Sequence, residues 1–214
     1  VLPKEVWTTN KPMRIILTDT GKRFNREWIF RHCNLVFEPG SRYAITGPNG
    51  SGKSTLLQVI AGAVLPSEGK LQFEFEGKTI NEESYRQISI AAPYLELIEE
   101  MTANEILQFH SKFKTLLKPH PEILTAVGLE KATHKQIRYY SSGMKQRLKL
   151  ALAFFSDTSV LLLDEPTTNL DEEGIRLYQK LLEEYAANRL VIVSSNDKSE
   201  YAFCEKVVSV LEFK

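Results

Sequence analysis

The stretch RYAITGPNGSGKSTLLQVI, Arg42–Ile60, decides the fold. RYAIT reads as a short strand, KSTLLQVIAG from Lys53 as a helix, and GPNGSGKST, Gly47 to Thr55, fits the phosphate loop G-x-x-x-x-G-K-[ST] between them. Glycines are needed there because the backbone must curl so that successive N–H groups point at phosphate oxygens, which side chains would obstruct. The helix N-terminus near Lys53 adds favourable partial charge for an anion. Gly47, Pro48, Asn49, Gly50, Ser51, Gly52, Lys53, Ser54 and Thr55 are therefore the candidate phosphate-binding residues. Lys53 is expected to reach the β- and γ-phosphates, and the Ser54 hydroxyl to ligate Mg²⁺. A glycine-rich turn that matches by chance is the bland alternative, and the flanking strand and helix weigh against it.

Working outward, LLLDEP, Leu161 to Pro166, supplies a second element of the same site. SVLLLD and LVIVSS are short continuous apolar runs, suited to strands buried on both faces of a parallel sheet. Such a strand ending in Asp164 sets a carboxylate at the carboxyl edge of the sheet, where open α/β sheets bind ligands. Asp164 then suits a Mg²⁺ role, and Glu165 can polarise a water for attack on the γ-phosphate. SSGMKQR, Ser141 to Arg147, places Ser142 and Gly143 at a helix N-terminus, a second anion site that needs no positive side chain. Alone, it is only a good helix cap.

The rest of the chain reads as one α/β unit. Alternating runs RIILTD, IFRHCNLVF and KLQFEFEG suggest partly exposed strands near the N-terminus, with Pro39-Gly40 as a turn. Thr102 and Glu105 form a T-x-x-E capping box, with Ile106, Phe109 and Phe113 following at helical spacing. Further helices are expected from Pro121 to Val127, ended by Gly128, from near Ser142 with a stripe Met144, Leu148, Ala151, Leu152, Phe155, and around Tyr178, Leu181, Leu182 and Tyr185. Strands, a helical block, then alternating strand and helix describe an α/β core with a helical insertion.

Composition agrees. The 214 residues carry 27 Lys+Arg and 27 Asp+Glu, 43% hydrophobic and 25% charged. Balanced charge offers no broad footprint for nucleic acid and no polybasic face for lipid. Cys33 and Cys204 are read as reduced, buried thiols. The N-terminal VLPKEVWTTNKPM lacks the pattern of a signal peptide, and no apolar stretch approaches a membrane span, so a soluble chain is expected.

In order, GPNGSGKST, YSSGMKQR and LLLDEPTTNLD resemble the ATP-binding domain of ABC transporters over essentially the whole chain. YSSGMKQR is similar to the exporter-type variant of that family's signature. The resemblance implies a P-loop NTPase (RecA-like) core with a mainly parallel sheet, an antiparallel β subdomain near the N-terminus and an inserted α-helical subdomain. Its division would be 1–93 and 157–214 for the core and 94–156 for the helical part carrying the signature. It implies ATP and Mg²⁺ as ligands, and a head-to-tail dimer in which each ATP lies between one subunit's phosphate loop and Ser141, Ser142 and Gly143 of the other. Asp171, in Asn169-Leu170-Asp171, then contacts the opposite site. An upstream aromatic stacks on adenine in the family; Phe24 falls about where it is expected, with Trp28 as rival and core packing as the alternative for both. The implied partners are a second ATP-binding subunit, identical or not, and an integral membrane permease that holds the chain at the inner face of the membrane. By the same resemblance the segment Tyr94 to Met101, apolar with Glu96, Glu99 and Glu100, lies near the permease-docking groove and suits a basic segment there, with a solvated acidic turn as the alternative. No nucleic acid is expected, since DNA-acting relatives carry long insertions for which this chain has no room.

Two positions depart from the family. The Gln expected after the strand opening the helical part is replaced at Pro93, with Tyr94 next. None of the four histidines, His32, His110, His120 and His134, stands after the last core strand; Asn196 does. Asn can donate a hydrogen bond to a γ-phosphate but cannot carry charge. The expectation is an ATPase using Glu165, Lys53 and Asn196, slow rather than dead. The alternative is an ATP-gated dimerisation module whose binding and release matter more than turnover.

Overall fold

The computed structural model describes residues 12–214. The N-terminal segment read for a signal peptide lies almost wholly outside the described residues. In chain order the elements are β1 (Met13–Phe24), β2 (Glu27–Phe37), β3 (Arg42–Thr46), α1 (Lys53–Ile60), β4 (Glu68–Phe75), β5 (Lys78–Thr79), β6 (Ile88–Ala91), α2 (Ala103–His110) and α3 (His120–Ala126). They continue with α4 (Ser142–Phe154), β7 (Val160–Asp164), α5 (Glu172–Tyr185), β8 (Leu190–Ser194), α6 (Lys198–Tyr201) and β9 (Lys206–Ser209).

Two sheets form. One is five-stranded and parallel, in the order β6-β7-β8-β3-β9, and the other is four-stranded and antiparallel, in the order β2-β1-β4-β5. Residues of β7 and β8 are buried throughout, and their alternation explains why the runs show no polar position before Asp164 and Ser194. Leu161, Leu163, Val191 and Val193 enter a core shared with α2, α3, α4 and α5. Val160, Leu162, Leu190 and Ile192 enter a second core with α1 and the antiparallel sheet. Period-two side chains therefore serve two cores from one strand, which demands apolar residues at every position.

The second core sandwiches α1: Leu56, Leu57, Val59 and Ile60 meet Ile15, Leu17, Phe30 and Phe37. This clamps the start of α1 between both sheets. At the opposite, amino edge of the parallel sheet, the buried Arg189 guanidinium donates to Ser89 Oγ at 2.5 Å, to the Phe154 carbonyl at 3.2 Å and to Thr158 Oγ1. It ties β6, α4 and the segment before β7 together.

Two expectations change. The Thr102–Glu105 capping box is present, but α2 stops at His110, where Ser111 caps it and turns its hydroxyl onto the Gln108 carbonyl at 2.8 Å. Phe109 and Phe113 consequently leave the core; they are exposed and stack edge-on with each other, 5.2 Å between ring centres. On α4 burial is wider than one stripe, because β6, α2, α3 and α5 surround it: Leu150, Ala153 and Phe154 are buried with Leu148 and Ala151, while Met144 and Leu152 are only half-buried. Cys33 is buried and Cys204 half-buried, both unbridged, and burial pushes each thiol up to about 12.

Candidate functional site

Parallel pairing brings the carboxyl ends of β3, β8, β7 and β6 side by side, and the chemistry-bearing residues leave from those ends. Residues 47–52 follow β3. Gly52 holds φ at 102°, and an added Cβ there would lie 2.4 Å from Ile29 Cγ2 on β2. Gly47, at φ 147°, packs so closely on Ser51 and Val210 that a Cβ would sit 2.7 Å from Ser51 Oγ. The loop therefore has no room for side chains on its inner wall, as phosphate contact by backbone N–H groups requires. Lys53 Nζ donates to the Gly47 carbonyl at 2.9 Å and the Pro48 carbonyl at 3.3 Å, so its ammonium lies back across the loop.

β7 delivers Asp164, buried, whose Oδ1 has no hydrogen bond. Burial raises its carboxyl above the ordinary range; Ser194, Ser54 and Lys53 pull it down, and Glu200 adds to the rise. Ser51 Oγ and Ser194 Oγ are likewise buried without a partner. A hard oxygen-seeking cation fits this donor set, since Mg²⁺ commonly takes one or two protein oxygens and completes its octahedron with phosphates and water. Among the described residues no cluster of three His, Cys, Asp or Glu could hold a metal by itself.

Glu165 adopts φ 41°, a left-handed backbone that few non-glycine residues take, and its N–H donates to the Ser194 carbonyl at 2.9 Å. With Ile29, Asn49, Gly50, Gly52, Lys53, Ser54 and Thr55 it lines a cleft of about 250 Å³. Asn196, just beyond β8, donates from Nδ2 to Asn49 Oδ1 at 2.8 Å, on the far side of the same loop.

Other candidates lie elsewhere. Ser141 caps α4 by accepting from the Met144 N–H at 3.2 Å; Ser142 is exposed, and none of Ser141, Ser142 or Gly143 lines the cleft. Gly143 faces the Asn169 carbonyl, 3.0 Å from where a Cβ would stand. Asp171 Oδ1 caps α5 through the Gly174 N–H at 2.8 Å and takes Arg147 at 3.2 Å. Phe24 and Trp28 stand on opposite faces of the β1–β2 hairpin, since Phe24 pairs with Glu27 and Arg23 with Trp28. The Phe24 ring is half exposed under Lys22, while Trp28 is covered by Arg31 at 4.1 Å.

In the segment after β6, Glu99 pairs with Lys145 and Glu100 with Arg138, the latter at 3.6 Å, and both carboxylates stay exposed. An apolar groove of about 290 Å³ opens beside it, with Leu95, Leu97, Ile98, Ile106 and Phe109 along its walls. His110 is a packed residue: its Nε2 meets Ser156 Oγ at 2.7 Å and burial lowers it to about 4.

Glu200 escaped the sequence reading. It is buried on α6, accepts the Thr167 N–H at 2.7 Å and the Thr167 hydroxyl, and so anchors the turn after Glu165. Its spacing from Asp197, D-x-x-E, points to a local cap rather than to a residue 33 positions away.

Residues 30–168 match the family model described as ABC transporter. The chain is 30% identical over 182 residues to an ABC transporter ATP-binding protein, YybJ, of Bacillus subtilis, covering 84% of each chain. It is 32% identical over 188 residues to the bacitracin transport ATP-binding protein of Bacillus licheniformis, covering 86% of this chain and 61% of that one. In fold it is similar to a dimeric ATP-binding cassette solved in a post-hydrolysis state with ADP and Pi (TM-score 0.76, 24% identity, 91% of this chain and 93% of that one).

Proposed function

Since the chain belongs to the ABC transporter family, we propose that it is the ATP-binding subunit of a transporter, hydrolysing MgATP between two such subunits to drive a separate membrane permease. The observation that carries the catalytic part is one sheet edge holding Lys53 and Ser54, a buried Asp164 carboxylate whose Oδ1 has no hydrogen bond, Glu165 and Asn196 around a single phosphate loop.

ATP enters with its phosphates against the N–H groups of residues 47–52. Lys53 exchanges the Gly47 and Pro48 carbonyls for β- and γ-phosphate oxygens. Mg²⁺, held by Ser54 and Asp164 when bound, supplies charge neutralisation. Glu165 accepts a proton from a water whose oxygen bonds to the γ-phosphorus, while the bond to the β–γ bridging oxygen breaks and ADP leaves. Asn196 donates its amide to the γ-phosphate in place of an imidazole. Ser141, Ser142 and Gly143, which do not line this chain's own cleft, cover the ATP of the partner subunit, with Asp171 beside them. Phe24 is the aromatic offered to adenine.

Residues 94–156 form the helical subdomain, and its apolar groove, with exposed Ile98 and Phe109, receives the permease at the inner membrane face. Among the described residues no helix is long and apolar enough to cross a membrane, which suits a permease on a separate chain. The departures at Pro93 and Asn196 favour the second reading, an ATP-gated clamp with slow turnover. Steady-state ATP hydrolysis by the purified chain separates them. A Glu165→Gln variant losing at least about a hundredfold in kcat supports the ATPase; equal rates in parent and variant would remove Glu165 as the base. Dimerisation on ATP without turnover in the parent selects the clamp.

A further inference from the structure

We infer that Glu200 is a positioning residue for Glu165, joining it through α6 to Asn196 at the phosphate loop; the inference rests on the proposed base role of Glu165. Glu165 sits at φ 41°, a strained backbone that persists only where its neighbours over-determine it. Those holds can be traced bond by bond. The Glu165 N–H donates to the Ser194 carbonyl at 2.9 Å, and the Thr168 N–H donates to the Glu165 carbonyl at 3.1 Å. From α4, Gln146 Nε2 donates to the Pro166 carbonyl at 2.8 Å. Glu200 Oε1 completes the set, accepting the Thr167 N–H at 2.7 Å and the Thr167 hydroxyl. Glu200 is only 3% exposed. A charge so far out of water is costly unless hydrogen-bonded, so its carboxylate is committed to this turn.

α6 carries the link to the phosphate loop. Asp197 caps the helix, accepting the Ser199 N–H at 2.8 Å and its hydroxyl at 2.7 Å, while the Asp197 N–H donates to Ser195 Oγ at 2.9 Å. Asn196 lies between those bonds, with its amide on Asn49 at 2.8 Å. At the other end, the Tyr178 hydroxyl of α5 donates to the Glu200 carbonyl at 2.8 Å. The residue touching the phosphate loop and the residue gripping the turn after Glu165 are thus about one helical turn apart on a braced element. A shift of Asn196 as the γ-phosphate arrives or leaves moves Glu200, Thr167 and Glu165 with it. The alignment of the base follows the phosphate.

The test is ATP hydrolysis by the full chain, with kcat and KM read separately. Glu200→Ala is expected to lower kcat about tenfold with KM within about twofold, since a displaced reacting group costs rate rather than phosphate affinity. Glu200→Gln, whose amide oxygen can accept the same two bonds, should restore at least about half of the parent kcat. Thr167→Val removes only the hydroxyl donor and should give a smaller fall in the same direction, which keeps the inference testable if Glu200→Ala does not fold. In a Glu165→Gln background, read by single turnover, Glu200→Ala should bring no further loss, because the group it positions is gone. A repeated loss there, or a fall in kcat matched by a rise in KM, marks a merely structural role and overturns the inference. Unchanged kcat in both Glu200→Ala and Thr167→Val overturns it too. If Glu200→Gln is as slow as Glu200→Ala, the effect belongs to the negative charge near Asp164 and positioning fails. A parent without turnover, or a Glu165→Gln variant as fast as the parent, overturns the base role of Glu165 and the inference with it.

Discussion

At the residue scale, Asn196 shows how chemistry differs from position. Its amide meets the phosphate loop through Asn49, and in the proposed function it is a donor without a titrating ring. Asn196→Ala should lower kcat about 10- to 100-fold with little change in KM, as loss of one transition-state donor does. Asn196→His should add a dependence on pH near the ordinary imidazole value of about 6.5, absent in the parent, and pH–rate profiles of the three proteins decide it. Lys114 carries a prediction of a different kind. It is bonded to the Ile88 carbonyl, and burial, then Arg189, lower it to about 8 from 10.5. Between those values the unfolded chain holds the proton and the folded one has lost it, so the Lys114 contribution to stability rises with pH through that window. Below it, the folded state carries a poorly solvated charge. Lys114→Met should therefore stabilise the protein by about 1–2 kcal/mol at pH 7, allowing for the lost hydrogen bond, and the advantage should shrink by pH 10, read from urea unfolding at both pH values. Residues such as Lys53, Asp164 and Glu165 were legible because the chemistry fixes their types and spacing. Glu200 was not, because its partner Thr167 lies 33 positions away and nothing local marks it.

At the element scale, helix ends and strand faces separate what patterns reveal from what they hide. The Thr102–Glu105 box was legible because both bonds are local: Thr102 N–H donates to Glu105 Oε2 at 2.8 Å, and Glu105 N–H to Thr102 Oγ1 at 3.3 Å. Thr102→Ala should cost about 1 kcal/mol in chemical denaturation. The stop at His110 was hidden, because the apolar spacing continues through Phe113 while the backbone does not. Glu200 belongs to this scale by its effect, since it joins the four-residue α6 to the turn after β7. Replacing it with Ala strands the Thr167 N–H and hydroxyl and should lower stability by about 2–3 kcal/mol, visible as a lower urea midpoint with unchanged slope. A loss within experimental error would show that water replaces the carboxylate freely.

At the scale of the whole molecule, continuous apolar runs announced a buried parallel sheet, but not the order β6-β7-β8-β3-β9, which depends on pairings between strands far apart in the chain. The same limit applies to the composite site. Within one chain Ser141–Gly143 do not line the cleft that holds Lys53 and Glu165. If two chains meet head to tail, each ATP takes its phosphate loop from one chain and its signature from the other. Lys53→Ala disables the first function, and Ser142→Arg, at an exposed position in the first turn of α4, disables the second without touching the core. Each variant alone should be inactive, because every site in its dimer is spoiled. In an equimolar mixture, a mixed dimer has one site with both defects and one with neither. About a quarter of the parent activity should then return, half the dimers being mixed and each keeping one of two sites. A site completed within a single chain gives no such recovery, because each chain then keeps its own defect. The mixing experiment thus reads the geometry of the assembly from hydrolysis alone, and a mixture as inactive as its components overturns the head-to-tail arrangement.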